Sequence, residues 1–427
     1  MTGAWLLSAG IALAADVEVG GNLKLFHIST YPYDNDLFAE SVADGSAFEQ
    51  TFPLKRDAVS AGATSSGLLT SRLTFDVYGD WWTFSAHPQL TVQPGGGASA
   101  ISIAQTGTGI PQAVDLSWEA VDDPDLLVQL RADRLVLEVE QGPVRAALGR
   151  QAVTFGHGLF FTPLDLVNPF FPTVVDQEYK PGVDAARVDA WFGAGQATVT
   201  SAYRGDWELD GMVHAAYVQQ TVGLWDIGLF GALAQDDKVG GLSLAGSAGP
   251  VSLHGDASIT LPADDREEDP FVRAVVGAQG TVTPKTQLMG EVYVQTNGAT
   301  DPSDYLEQYD SPRYARAELW LAGRTYAAVS VTQELQPMLS GSLFVLGNLE
   351  DTSALVGPGL SWNVSDNVTA SLGAYLGVGE RPVDYQVEDH DNVLEAVSEL
   401  VEVAEDPYRS EMGAAPATVF ASMQAWF

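Results

Sequence analysis

Residues 71–81 read Ser-Arg-Leu-Thr-Phe-Asp-Val-Tyr-Gly-Asp-Trp, and their polarity alternates with a period of two residues. The apolar parity consists of Leu73, Phe75, Val77, Gly79 and Trp81, and the polar parity of Arg72, Thr74, Asp76, Tyr78 and Asp80. Successive side chains of a β-strand point to opposite faces. The stretch therefore predicts a strand with one apolar face and one polar face.

The same alternation recurs in residues 133–140, 185–192, 287–295 and 315–321. The polar parity carries both signs of charge, on Arg134, Glu138, Arg187, Asp189, Arg316 and Glu318. Many of the alternating segments run about nine to eleven residues, the length of a tilted membrane strand, whereas strands of soluble proteins average about five or six. The length favours a transmembrane barrel whose polar parity, including Arg72 and Asp76, lines a wet lumen. A solvent-facing sheet is the alternative.

Short and long connections alternate along the chain. Tight turns are predicted at Gln141-Gly142, Gly193-Ala194-Gly195, Gly249-Pro250 and Ser365-Asp366-Asn367. Long connections are predicted near residues 28–66, 94–112, 152–183, 297–313 and 378–416. At about 20 to 25 residues per strand with its connection, the chain predicts an all-β, antiparallel, up-and-down transmembrane barrel of about 16 to 18 strands. We favour 18, with short periplasmic turns and long extracellular loops.

The charge and the cysteine content exclude several classes of protein. The 427 residues include 56 acidic and 20 basic ones, for a formal net charge of -36, and no cysteine. Nucleic acid is excluded as a partner because phosphate binding needs clustered Lys and Arg. The acidic excess indicates either simple solubility, or acidic loops that bind divalent cations among lipopolysaccharide and favour cations at a pore mouth.

The two ends of the chain both suggest export. Residues 1–14 form a short apolar stretch that ends in Ala12-Leu13-Ala14, which predicts a signal peptide over 1–14 and a single barrel domain over 15–427. No Lys or Arg precedes the stretch, so a buried N-terminal helix is the alternative. The chain ends on Phe427, which shares a parity with Val419, Ala421, Met423 and Ala425. A terminal aromatic residue on a last strand resembles the signal read by the barrel assembly machinery, and an ordinary edge strand is the alternative.

Two stretches carry a family resemblance. They read GRQAVTFGHG at 149–158 and EYKPGVDAARVD at 178–189, with Pro163-Leu164-Asp165 and Asn168-Pro169 between them. This passage resembles the strand, loop and strand of porin-like barrels, and the chain resembles the outer-membrane porin superfamily over nearly its whole length. The two ends of this passage, Gly149-Arg150-Gln151 and Asp184-Ala185-Ala186-Arg187-Val188, also resemble alginate-export barrels over these few residues. The acidic chain departs from the cationic lumen that export of a polyanion would need.

The loop inside this passage is unusually apolar. Its bulky and chain-breaking residues are Phe160, Phe161, Pro163, Pro169, Phe170, Phe171 and Pro172. Such a loop should not lie in water, so it either folds into the lumen as a constriction or packs on a neighbouring subunit of a homo-oligomer. The first interpretation places the polar residues of the loop at the narrowest point, opposite the wall arginines: Asp165, Asn168, Asp176, Glu178 and Lys180. Packing without a functional role is the alternative for each of them.

Residues 391–404 break the period of two. Val393, Leu394, Val397, Leu400 and Val401 recur at three- and four-residue spacing after Asp391, which is a helix-capping residue type. The spacing predicts a short amphipathic helix over the barrel mouth. A loop packed on its neighbours without a gating role is the alternative.

The function predicted from these features is passive diffusion of small hydrophilic solutes through an outer-membrane pore, with a preference for cations. The preference rests on acidic residues in candidate loops: Asp34, Asp36, Glu40, Asp264, Asp265, Glu267, Glu268, Asp269, Asp384, Glu388, Asp389 and Asp391. No nucleotide-binding, serine-hydrolase or zinc-protease motif is present, so we predict no enzyme activity, no cofactor and no metal site. The alternatives are a non-conducting structural or adhesion barrel with metal- or partner-binding loops, and an export pore for polysaccharide or hydrophobic compounds.

Overall fold

The computed structural model describes residues 15–31, 63–94, 111–123, 126–169, 179–264, 266, 268–316, 318–382 and 408–427. In this part of the chain nineteen strands form one antiparallel sheet. The strands are β1 (Asp16–Tyr31), β2 (Thr64–Tyr78), β3 (Trp82–Pro94), β4 (Ser117–Asp123), β5 (Leu126–Gln141), β6 (Val144–Gln151), β7 (Val183–Phe192), β8 (Gly195–Tyr203), β9 (Met212–Val222), β10 (Trp225–Ala234), β11 (Asp237–Ala248), β12 (Val251–Leu261), β13 (Phe271–Thr283), β14 (Thr286–Gln295), β15 (Thr325–Gln336), β16 (Leu339–Asn348), β17 (Ser353–Ser365), β18 (Val368–Val378) and β19 (Ala417–Trp426).

Helical structure in the described residues is short. It consists of α1 (Tyr305–Tyr309), α2 (Pro312–Ala315) and 3-10 turns at Leu209–Gly211, Pro302–Asp304 and Met412–Ala414. No helix of the described part is long and apolar enough to cross a membrane.

Eighteen of the strands close into a cylinder, which confirms the predicted barrel and the favoured strand number. The ring closes where β1 pairs with β19 on one side and with β2 on the other. The additional strand is β4. It pairs with the first residues of β5, while β3 pairs with β5 directly.

The two edges of the cylinder differ as predicted. At one edge, here called the turn edge, hairpins turn within two or three residues, and the four predicted tight turns all lie there. Gly142, Gly193 and Gly249 adopt positive φ in these turns, a conformation that costs glycine little. The other edge, the loop edge, carries the long connections. Two short connections at this edge, at 235–236 and 349–352, depart from the pattern.

The wall has an apolar outer face and an inner face that is polar or covered. On β13, for example, outward Val276 is 64% exposed, whereas inward Arg273 is 6% exposed. Outward Leu148 and Leu229 are similarly exposed at 68% and 61%. An apolar band around a closed barrel is the surface that a lipid bilayer covers.

Four of the five alternating stretches are strands, and the fifth prediction is wrong. The stretch 71–81 also ends earlier than predicted, because β2 stops at Tyr78. Residues 315–321 contain the end of α2 and irregular chain, since Pro312 occupies the first turn of that helix. Arg316 and Glu318 therefore lie on a loop inside the barrel and not on its wall. Their apolar neighbours Leu319 and Leu321, each 3% exposed, are buried inside the barrel.

Candidate functional site

Within the described residues, three segments of the connections at the loop edge fold into the lumen. We call residues 152–169 the crossing segment, residues 296–324 the inner loop, and residues 408–416 the terminal segment. Each contacts inward-facing side chains of the wall. Together with the wall they form two buried clusters of apolar and aromatic side chains inside the barrel. The candidate functional site is therefore the lumen as these three segments shape it.

The crossing segment is attached to the far wall through its backbone. The N–H groups of His157 and Gly158 each donate to Asp256 Oδ2 at 2.7 Å. The N–H group of Leu159 donates to Glu291 Oε1 at 2.6 Å, and those of Phe160 and Phe161 donate to Glu291 Oε2 at 2.9 and 3.0 Å. Because buried backbone donors must find acceptors, the two wall carboxylates fix the path of this segment.

Aromatic packing places the same segment inside the barrel and not against a neighbouring subunit. The Phe161 ring stacks on Tyr293 with centroids 4.7 Å apart, and Phe155 packs on Phe230 at 5.3 Å. Leu164 is completely buried. The apolar residues that are described in the predicted loop thus pack against the inner wall.

Three of the five polar residues predicted for this loop lie together. Lys180 Nζ contacts the Asp165 carboxylate and donates to the Val153 carbonyl at 2.6 Å. Asn168 donates through Nδ2 to the Pro181 carbonyl at 3.2 Å. Asp176 and Glu178 lie outside the described residues.

Tyr179 joins the returning end of this loop to the wall formed by β2, β3 and β5. Its ring lies between the guanidinium groups of Arg72 and Arg134, with centroid distances of 3.6 and 4.4 Å. Its hydroxyl contacts His87, which in turn lies 3.2 Å from Asp76. Burial raises the pKa of Tyr179 to about 12, so the phenol is neutral at physiological pH. Sequence reasoning missed Tyr179, although it stands directly before the predicted Lys180.

The predicted wall residues of β2, β5 and β7 lie on the inward parity: Arg72, Asp76, Arg134, Glu138, Arg187 and Asp189. Asp189 accepts from Arg187 at 2.9 Å and pairs with Arg145 at 3.4 Å. Asp133 pairs with Arg72 at 3.6 Å and Arg134 at 3.2 Å. One buried acid between two arginines is thus the repeated unit of this wall.

The inner loop carries an ion-pair network that the sequence did not predict. Arg313 contacts Asp237 at 2.9 Å, Glu318 at 2.8 Å and Glu268 at 2.5 Å, and Arg316 donates to Glu318 at 2.7 Å. Burial alone would raise the pKa of Glu318, but Arg316 and Arg313 outweigh it and hold the pKa below its usual range. Glu318 is therefore ionised and joins Arg313 to Arg316, while Arg313 ties α2 to the wall through Asp237.

The terminal segment is held by one buried carboxylate, Glu411. Its Oε1 accepts from the Tyr309 hydroxyl at 2.9 Å and the Ala322 N–H at 2.8 Å. Its Oε2 accepts from Asn348 Nδ2 at 2.7 Å and the Tyr326 hydroxyl at 2.5 Å. Burial raises the pKa of Glu411, and these neutral donors only partly oppose the shift.

Two small adjoining cavities, of about 20 and 30 Å³, lie between the crossing segment and the inner loop, and both are lined by Arg273 and Glu318. Within the described ranges, no group of three His, Asp or Glu side chains is placed to hold a metal ion. Of the predicted acidic loop residues, Glu268 pairs with Arg313, and Asp264 and Asp269 are exposed. The others lie outside the described residues, as do the predicted signal peptide and the predicted helix over 391–404.

The terminal residue lies at the turn edge of the closing seam. Phe427 exchanges two backbone hydrogen bonds with Gly21, at 2.9 and 3.0 Å. Its side chain is 65% exposed and belongs to the outward parity of β19. The predicted assembly residue is therefore accessible on the outer face of the barrel.

No known protein family and no curated protein matches the sequence. Solved structures with the same architecture include OccK9 of Pseudomonas aeruginosa, at 10% identity over 96% of this chain and 98% of that chain, with a TM-score of 0.56. A BenF-like porin of Pseudomonas fluorescens gives 8% identity, coverage of 96% and 98%, and a TM-score of 0.55. OccAB1 of Acinetobacter baumannii gives 9% identity, coverage of 98% of both chains, and a TM-score of 0.53. In fold, this chain is an eighteen-stranded barrel similar to the outer-membrane porins.

Proposed function

We propose that this protein is a passive channel for small hydrophilic solutes in a bacterial outer membrane. The observation that carries the proposal is the closed eighteen-stranded cylinder, which is apolar outside and charged inside. The side chains of Arg145 and Arg187 face inward and remain 32% and 25% exposed. Charged groups in that state need water, which supports an aqueous path along the wall of β6 and β7.

Single-channel recording in a planar bilayer tests this function. We expect stepwise conductance from purified protein, and liposomes that contain it should swell in solutions of small sugars. A barrel that inserts but carries no current would favour the alternative, a structural or adhesion barrel. The proposal includes no enzyme activity. Passive diffusion involves no chemical step, so the wall carboxylates need no catalytic role.

The selectivity that we propose is a preference for cations. Several inward arginines of the wall are paired with carboxylates, as in the Arg145–Asp189–Arg187 unit. The segment 383–407, which connects two strands at the loop edge, contains nine Asp and Glu and no Lys or Arg. Negative charge at a pore mouth raises the local cation concentration, and salt screens it over about 10 Å at 0.1 M.

The reversal potential in a salt gradient tests the preference. We expect cation selectivity that fades as the salt concentration rises. Anion selectivity at low salt would show that the arginines of the wall dominate, and the account based on the loop edge would then be wrong.

We further propose export through the periplasm, assembly by the barrel assembly machinery through Phe427, and contact with lipopolysaccharide through divalent cations at acidic loops. The exposed position of Phe427 on the outer face supports the assembly step. Deleting Phe427 should reduce membrane insertion and leave unfolded periplasmic chain, measured by fractionation. Normal insertion of the truncated chain would contradict the assembly proposal.

A further inference from the structure

We propose that Asp256 and Glu291 are positioning residues that hold the crossing segment across the lumen and thereby set the largest solute that can pass. This inference rests on the proposed channel function. It concerns the way in which the wall shapes the path, and it assigns a role to two carboxylates that sequence reasoning left out.

The two carboxylates satisfy several backbone donors of the crossing segment. Five consecutive N–H groups, of residues 157–161, donate to Asp256 and Glu291 at 2.6 to 3.0 Å. Residues 152–169 contain no helix or strand that could use these donors internally. Without the carboxylates, the segment would lose every one of these bonds at once.

Glycines shape this attachment. Gly156 adopts φ of +89°, and a Cβ atom there would lie 2.5 Å from Asp256 Oδ2. A Cβ atom on Gly158 would lie 1.9 Å from the Phe161 carbonyl oxygen. Only glycine at these positions lets successive N–H groups converge on two acceptors.

The wall itself orients Glu291. His254 on β12 lies 2.7 Å from Glu291 on β14, measured from Nε2 to Oε1, and both side chains are buried. The intervening strand β13 presents Gly277 at this point, where a Cβ atom would lie 2.3 Å from His254 Nε2. The contact across β13 therefore depends on a glycine, and it holds the carboxylate toward the segment.

The attachment lies on strands that are separated in the ring from those that carry the ends of the connection. The crossing segment leaves the wall after β6 and its connection returns at β7, whereas Asp256 and Glu291 lie on β12 and β14. The segment thus runs between well-separated strands, and its far end is held by these two side chains. Their removal should free that end, so that the chain no longer divides the lumen at a fixed place.

The test compares the wild-type barrel with Asp256→Leu and Glu291→Gln, alone and together. Leucine is close to aspartate in size and offers no acceptor to the N–H groups of His157 and Gly158, and glutamine keeps one acceptor oxygen where Glu291 uses both. In liposome swelling we expect the largest permeant sugar to enter several-fold faster in the double variant, with noisier single-channel current. The matched control is Asp226→Leu on the inner face of β10, whose carboxylate accepts from Thr221 and does not contact the segment.

A second readout reports on the segment without relying on conduction. The chain has no cysteine, so Leu159→Cys gives a single attachment site for a spin label, and this side chain is 38% exposed. We expect an immobilised label in the otherwise unchanged barrel and a mobile one after Glu291→Gln. A wild-type barrel without current would contradict the proposed function alone. An unchanged label mobility, or an unchanged sugar limit in a folded and conducting double variant, would overturn the positioning role.

Discussion

The crossing segment and the terminal segment both fold into the lumen, but they are attached in opposite ways. In the crossing segment the wall supplies the carboxylates, Asp256 and Glu291, and the segment supplies backbone N–H groups. In the terminal segment the inserted chain supplies the carboxylate, Glu411. The wall and the inner loop then supply most of the donors from side chains, such as Tyr326 and Asn348.

This difference determines where each attachment is encoded. Backbone N–H groups are present whatever the side chains are, so the sequence of the crossing segment needs only glycines that shape its path. The terminal segment depends instead on one side chain whose four acceptor positions are all used. Substitutions in the two segments should therefore have unequal effects.

The largest effect is expected for Glu411→Ala. The substitution leaves four buried donors without an acceptor, so we expect the free energy of unfolding to fall by about 3 to 5 kcal/mol. Denaturant unfolding in detergent micelles measures the loss. The control is Glu334→Gln, which removes an exposed pair with Lys285 and should change stability by less than about 1 kcal/mol. If Glu411→Ala and Glu334→Gln lowered the free energy of unfolding equally, the attachment of the terminal segment would not depend on the Glu411 side chain, and its distinction from the crossing segment would be lost.

The next effect is expected for Gly158→Ala in the crossing segment. The new Cβ atom would overlap the Phe161 carbonyl oxygen, so the backbone must shift and the carboxylate bonds must lengthen, at about 2 to 3 kcal/mol. The matched change is Gly142→Ala in a tight turn, where φ is +59° and a Cβ atom meets nothing within 4 Å. It should cost only about 1 kcal/mol. A reversed order in thermal unfolding would mean that backbone geometry does not fix the segment.

A smaller effect is expected in the pH dependence of stability, which should differ between the buried carboxylates of Glu411 and Glu318. Glu411 has a raised pKa, so its contribution to stability is present below the usual carboxyl range and is lost as pH rises through its folded pKa. Glu318 has a lowered pKa, so its contribution is present above that range and is lost as pH falls through its folded pKa. The stability differences of Glu411→Gln and Glu318→Gln from the wild type should therefore change with pH in opposite directions. Parallel profiles would contradict the assigned causes.

The smallest effect is expected for Leu159→Ala. The N–H of this residue bonds Glu291, but its side chain is 38% exposed and carries little of the attachment. We expect a change in the free energy of unfolding within about 0.5 kcal/mol and an unaltered conductance. A loss as large as that for Glu411→Ala would show that side chains hold the crossing segment after all.

The sequence predicted the wall well because each strand repeats a physical constraint. Residues such as Leu73 and Val276 face lipid, and the next residues along each strand face the lumen. The alternation can therefore be recognised without knowing which strands are neighbours. The error at 315–321 has the same origin. Leu319 and Leu321 alternate with charged residues because they are buried inside the barrel while Arg316 and Glu318 pair with each other. Period two in a short stretch cannot distinguish these cases.

The lumen was less predictable than the wall. The apolar composition of the loop favoured an inward fold as one of two interpretations. No pattern indicated that Asp256 and Glu291 would receive its backbone, because they stand in strands far along the chain. Glu411 was equally hidden, since its donors come from α1, β15 and β16. Such contacts depend on the register of the strands and on which loops enter the lumen, and a local sequence pattern predicts neither.

The seam between β1 and β19 has a topological consequence. Apart from β3 with β5, the other paired strands of the described sheet follow one another in the chain. The β1–β19 ladder instead brings Asn22 opposite Trp426 and encloses all the strands between them in one loop. The entropic cost of closing a loop grows only slowly with its length, so the long separation adds little to the free-energy cost of pairing β1 with β19. The pairing is nevertheless late in folding, because it cannot form until the other strands are in place. A circular permutant opened at Gly249-Pro250 would move this late step to β11 and β12 and would leave the same cylinder.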